Sequence, residues 1–207
     1  MLDHLKWRYA TKKFDTTKKV SPSDLETLKE AVNLTASSYG LQAYKVLNIV
    51  NPEVREKLKP ASWNQPQITD ASNLFVFCAF TDYTDKDVDE YVALAAKTRG
   101  LDPESLKGFG DFLKGNMNSM PADVKKAWLA RQPYLALGNL MTTAASMKID
   151  VCPMEGFDVV QYNEILGLNE KGLSAVCIGA VGYRSAEDEQ QHWAKVRKDV
   201  NDLFETV

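Results

Sequence analysis

Between Gln132 and Met147 the chain carries no charged side chain, and from Trp128 onward its apolar residues leave almost no polar face. A helix that is apolar nearly all round must be covered on every side, so it belongs in a core or in a subunit interface. The run is short for a membrane span and contains Pro133, Gly138 and Asn139, which favours burial within protein. Pro133 should kink this helix or mark a joint in it. Two more runs need similar cover: Asn73–Phe80 and Ser174–Tyr183 read as buried strands.

The remaining elements can be built around these. Tyr44–Val50 reads as a strand and Val151–Pro153 as a short strand end. Ser21 as N-cap, Pro22 in the first turn and Asp24 beside it start a helix whose apolar face is Leu25, Leu28, Ala31 and Val32. Further helices are expected over 2–7, 86–98, 103–117, 122–148 and 158–166. No repeat or linker interrupts the pattern. A length of 207 residues suits one domain, 1–207, able to bury a core without disulfides. The expected class is α+β, with a mixed sheet whose strands lie far apart in sequence.

Charge and composition then exclude several functions. The net charge of −3, from 25 Lys+Arg against 28 Asp+Glu, argues against a general nucleic-acid or anionic-membrane binder. It leaves room for a local basic pocket. Cys78, Cys152 and Cys177 each lie in an apolar run, as buried thiols of a reducing compartment do. Residues 1–8 have no signal-like apolar core, so a cytoplasmic location is expected. Two histidines, His4 and His192, cannot build a His-rich metal cluster, and no metal site is expected. There is no G-x-S-x-G elbow and no phosphate-binding G-x-x-x-x-G-K loop. The Gly108-Phe109-Gly110 start of a dinucleotide fingerprint fails at Leu113. The calcium-like Asp85–Asp89 run fails at Glu90 and Ala96.

What remains is cationic. Arg8 and Lys12 flank a loop near one end, and Lys195 and Arg197 form a Lys-x-Arg pair near the other. They are either solvated surface charges or, since alternate residues of an extended segment share a side, a phosphate grip. Pro153-Met154-Glu155-Gly156-Phe157-Asp158 lies where a strand gives way to a helix, with a glycine and free N–H groups available to a ligand. An ordinary turn with Asp158 as N-cap accounts for the segment equally well.

Five segments together resemble the FMN-dependent nitroreductase family. They are Arg8–Phe14, Ser37-Ser38-Tyr39-Gly40-Leu41-Gln42, Trp63-Asn64-Gln65-Pro66-Gln67, Pro153–Asp158 and Lys195-Val196-Arg197, in family order and spacing over nearly the whole chain. The resemblance implies a mixed central sheet surrounded by helices, with FMN sites at a homodimer interface. It places Arg8, Lys195 and Arg197 on the FMN phosphate, with Tyr9 and Ala10 beside them. Lys12 and Gln67 would lie along the N1/O2 edge of the ring, and Asn64 on the ribityl chain or ring edge. Pro153 and Met154 would lead to Glu155 and Gly156, whose N–H groups would address N5 and O4. Ser37 and Ser38 would reach the partner subunit's flavin. Tyr39, Gly40 and Trp63 would face the substrate, under a helical excursion at about 85–120 in which Phe109 and Phe112 are either lids or core residues. Ala10 stands where many relatives have Ser, Gln42-Ala43-Tyr44 where they have Gln-Pro-Trp, and Gln67 where they often have Lys.

The function implied is an NAD(P)H oxidoreductase. NADH or NADPH would reduce FMN at N5 in a ping-pong cycle, and a quinone or nitroaromatic would serve as the small-molecule electron acceptor. FMN carries such chemistry while the protein binds, orients and tunes it. The alternatives are a flavin-binding or regulatory module without turnover, a relative with another reductive activity such as enone reduction or dehalogenation, and a scaffold with no cofactor.

Overall fold

A computed structural model describes residues 1–207. Its centre is a four-stranded sheet of β1 (Tyr44–Ile49), β2 (Asn73–Phe80), β3 (Asp150–Met154) and β4 (Leu173–Gly182), in the order β1-β2-β4-β3. All three pairings are antiparallel, so the mixed pairing expected from the sequence is corrected within this chain. Fully apolar runs such as 73–80 signal burial on both faces and carry no information on strand direction. The α+β class stands.

The helices are α1 (Leu2–Trp7), α2 (Pro22–Asn33), α3 (Pro52–Leu58), α4 (Gln67–Asp70), α5 (Asp85–Arg99), α6 (Lys107–Ser119), α7 (Ala122–Ser146), α8 (Val159–Ile165) and α9 (Val200–Leu203). The Ser21 hydroxyl accepts from the Asp24 N–H and starts α2 with Pro22 in its first turn, as the sequence suggests. The helix expected over 103–117 divides into a 3-10 turn, Pro103–Leu106, followed by α6. No break appears at Pro133: α7 runs through it as one element. Pro133 removes one backbone donor, and its buried neighbour Gln132 gives its side-chain N–H to the Trp128 carbonyl at 3.1 Å.

Period-two alternation on β2 divides the core. Leu74, Val76 and Cys78 join one cluster with Met154, Ile178 and Tyr162, under α3, α4 and α8. Phe75 and Phe77 point the other way, onto α2 and α7 through Leu28, Leu137 and Leu140. A third cluster, with Leu41, Val88, Leu113, Met117 and Leu129, fastens α5 and α6 to α7. The three cysteines are buried in the first two clusters and unpaired. No helix is long and apolar enough to cross a membrane.

Candidate functional site

Two distant pieces of chain meet where β4 ends. The Asp15 N–H donates to the Tyr183 carbonyl and the Ser185 N–H to the Lys13 carbonyl, so residues 13–15 run beside 183–185. Arg184 grips Asp150 through its side chain, and its guanidinium lies 4.1 Å from the Trp7 ring and 4.6 Å from the Tyr9 ring. Asp188 finishes the junction: its carboxylate accepts from the Tyr9 hydroxyl and from the N–H groups of Lys12, Lys13 and Gln190. Burial pushes the Asp188 carboxyl up, but these four donors outweigh it and hold the group below its ordinary value. Asp188 and Asp150 are missing from the sequence reading: Asp188 beside Glu187 and Glu189 looks like solvated surface, and nothing near Asp150 in sequence marks its partner Arg184.

This junction carries a cavity of about 260 Å³ lined by Arg8, Tyr9, Ala10, Gln190, Trp193, Ala194, Lys195 and Arg197. It brings together the three cations of the expected phosphate grip and contains no carboxylate. Desolvation, and then repulsion from Arg197, lower the Arg8 pKa. Lys195 is lowered likewise, by desolvation and then by Arg8 and Arg197. Three mutually repelling cations in one concavity form an anion site. Lys12 lies outside this lining; burial raises the Cys152 thiol pKa, and the Lys12 charge partly offsets that rise.

A second junction joins residues 62–67 to the end of β3. Trp63 and Asn64 adopt left-handed backbone, at φ 53° and 58°. The Gln65 amide donates to the Gly156 carbonyl at 2.9 Å. A Cβ on Gly156 would come within 2.6 Å of the Trp63 ring and 3.0 Å of the Gln65 amide, so any other residue there displaces one or both. The Phe157 N–H turns back to the Glu155 carbonyl, while the N–H groups of Glu155 and Gly156 donate to nothing in the chain. Asp158 does cap α8, through the Gln161 N–H, so turn and exposed amides coexist. Arg55, buried without a carboxylate partner, binds the carbonyls of Ile68, Ala71 and Ser72 and fixes α4. Gln67 at the head of α4 is buried, and its Oε1 atom has no partner.

The serine loop belongs to a different cluster. Ser37 accepts from the Gln42 N–H, and the Ser38 N–H donates to the Gln132 side chain on α7. Tyr39 has φ 54°, and Gly40 at φ 78° leaves room for the Tyr91 hydroxyl, which donates to the Tyr39 carbonyl. From α6, Asn116 donates to the Tyr39 hydroxyl, and Phe112 meets the Tyr39 ring edge-on at 6.1 Å. Phe112 is 53% exposed, whereas Phe109 packs on the third core cluster. No hydrogen bond or ion pair links this group to the cationic cavity within one chain.

Comparison with known proteins gives a consistent result. A model of the Nitroreductase family matches residues 5–183. A Staphylococcus saprophyticus protein named "Putative NAD(P)H nitroreductase" is 35% identical over 214 residues, covering 99% of this chain and 95% of that protein. The crystal structure of a Bacillus subtilis nitroreductase-named protein superposes with a TM-score of 0.86 at 22% identity, covering 100% of this chain and 98% of the other. An Exiguobacterium sibiricum protein so named, solved in complex with FMN, gives 0.83 at 22% identity, covering 100% and 96%.

Proposed function

The chain belongs to the nitroreductase family, and from that premise we propose that it is an NAD(P)H-dependent FMN oxidoreductase that reduces quinones or nitroaromatic compounds. The observation that carries the reading is the cavity in which Arg8, Lys195 and Arg197 converge without a carboxylate. It suits the phosphate end of FMN. The residues toward the ring fit as well: two unused N–H donors at Glu155 and Gly156 suit N5 and O4, and the orphaned Gln67 Oε1 suits the N–H of the pyrimidine edge. The relatives' names and the FMN complex support the cofactor and the nicotinamide donor.

FMN, when bound, would supply the hydride chemistry of a ping-pong cycle between the nicotinamide and the acceptor. The chain's own residues bind and orient. Arg8, Lys195 and Arg197 hold the phosphate, and Asp188 holds the Tyr9–Lys13 backbone beneath it. Lys12 supplies positive charge near the pyrimidine edge. Asn64 faces the ribityl chain or ring edge, and Trp63, beside Gly156, walls the substrate side.

We assign the complete site to a homodimer, in which Ser37, Ser38, Tyr39 and Gly40 of one chain reach the FMN of its partner and residues 85–120 form the lid, with Phe112 as its exposed aromatic. The absence of links between the serine loop and the cationic cavity within one chain supports that division. The test is optical. Purified protein should be yellow, bleach on anaerobic addition of NADPH or NADH, and recolour with a quinone or nitroaromatic. Bound flavin that neither nucleotide reduces would make the chain a binding module.

A further inference from the structure

Glu155 is the residue whose own N–H is offered to the cofactor, and its side chain has a single hydrogen-bond partner. The Tyr134 hydroxyl, projecting from α7, donates to Glu155 Oε1 at 2.5 Å. No Lys or Arg lies within ion-pair distance of Glu155. The pair sits on a cavity of about 390 Å³ whose other walls are the apolar Leu137, Met141, Pro153 and Met154. Both residues are exposed, so the bond contributes chiefly through geometry, by being the one hydrogen bond to the Glu155 side chain. Burial, then the bond to Glu155, push the Tyr134 phenol well above its ordinary value, so it stays a donor.

We propose that Tyr134 is a positioning residue: its hydroxyl holds the Glu155 carboxylate against α7 and thereby fixes the turn that presents the Glu155 and Gly156 N–H groups to the FMN ring. The turn is then held at three points. Gln65 fixes the Gly156 carbonyl, the Phe157 N–H closes on the Glu155 carbonyl, and Tyr134 fixes the side chain that the other two leave free. The tether also sets electrostatics. A carboxylate kept beside the ring opposes the negative charge that FMN gains on reduction. Breaking the tether lets the exposed carboxylate move away from the turn and weakens that opposition. The inference rests on the FMN reading above.

The test is a double-mutant cycle on the FMN-loaded protein, read as the midpoint potential of bound FMN in anaerobic titration. Tyr134 is 41% exposed, so Tyr134→Phe is accommodated without repacking. Tyr134→Phe should raise the potential, because the freed carboxylate swings away, and Glu155→Gln should raise it by removing the charge. Tyr134→Phe combined with Glu155→Gln should match Glu155→Gln alone. A purely structural tether would lower the thermal midpoint of Tyr134→Phe and leave the potential unmoved. An unmoved or lowered potential in Tyr134→Phe, or a double variant whose shift is the sum of the singles, overturns the proposal while FMN binding stands. Wild-type protein that takes up no FMN overturns the cofactor reading and this role with it.

Discussion

Gln67 shows how much one buried side chain can decide. It shares its surroundings with Lys12, Arg8 and Cys152, and its Oε1 atom finds no partner in the chain. With Gln at this point, Lys12 is left as the cation assigned to the pyrimidine edge, where reduction leaves negative charge. A charge pair at ~4 Å is worth about 1 kcal/mol in water and about 4 kcal/mol at an effective dielectric near 20. With about 30 mV for each 1.4 kcal/mol in a two-electron couple, Gln67→Lys should raise the FMN midpoint potential by roughly 20–80 mV. Burial at a site only 4% exposed and the nearby Lys12 and Arg8 both oppose a charged lysine here, so the upper end of that range requires the negative charge of reduced FMN to keep it protonated. An anaerobic titration decides it; an unchanged potential with FMN fully bound would place Gln67 away from the ring. The phosphate end is tested separately. Charge-assisted contacts of ~1.5–3 kcal/mol each mean that Lys195→Ala with Arg197→Ala should weaken FMN binding by orders of magnitude. Both residues are exposed, so circular dichroism should be unchanged.

At the scale of elements, the cradle depends on Asp188 holding residues 9–13 to the exit of β4. Its pKa is depressed in the folded state. The ionised group therefore stabilises the fold above the unfolded value of ~3.9, and that contribution is lost as pH falls through the folded value. Asp188→Asn places amide hydrogens against existing donors and should be less stable at neutral pH. The gap from wild type, measured by urea denaturation, should be constant above about pH 5 and close as acid protonates Asp188. Parallel acid limbs would show that the carboxylate is not the anchor. Such anchors separate what the sequence reveals from what it hides. Helix starts with local chemistry, such as Ser21-Pro22, and apolar runs such as 73–80 are legible because their signals lie within a few residues. That Arg8, Lys195 and Arg197 share one cavity is expected only from the resemblance, as a recurring pattern. Asp188, Gln132 and Tyr134 are not legible, because each acts on a partner 179, 94 or 21 residues away, and composition carries no trace of such pairing. Strand direction is hidden for the same reason: the buried runs of β2 and β4 read alike either way.

The whole molecule leaves apolar surface that one chain does not cover. On α7 the face carrying Leu129, Ala136, Leu140 and Ala144 is buried against the sheet, yet Tyr134 and Leu135 on the opposite side are 41% and 53% exposed. Residues beyond the phosphate cations add Val200, Leu203 and Phe204, all more than 65% exposed. Exposed apolar side chains on α7 and at 200–204 suit a contact between copies of the chain, and obligate interfaces resemble a core cut in half. The arrangement of the site asks for the same solution, since the serine loop and Phe112 do not line the cavity of the cations they would serve. Sedimentation should therefore find a homodimer at low micromolar concentration. Leu135→Glu, which places a charge in the proposed contact without touching the cradle, should shift the protein toward monomer. FMN retention and NAD(P)H oxidation should fall together with dimer content, because each site is completed by the partner. The dependence on concentration separates this from local damage: activity per chain of the variant should recover as concentration rises and dimer reforms. A wild-type monomer that is flavin-loaded and fully active would exclude both the interface and the shared site.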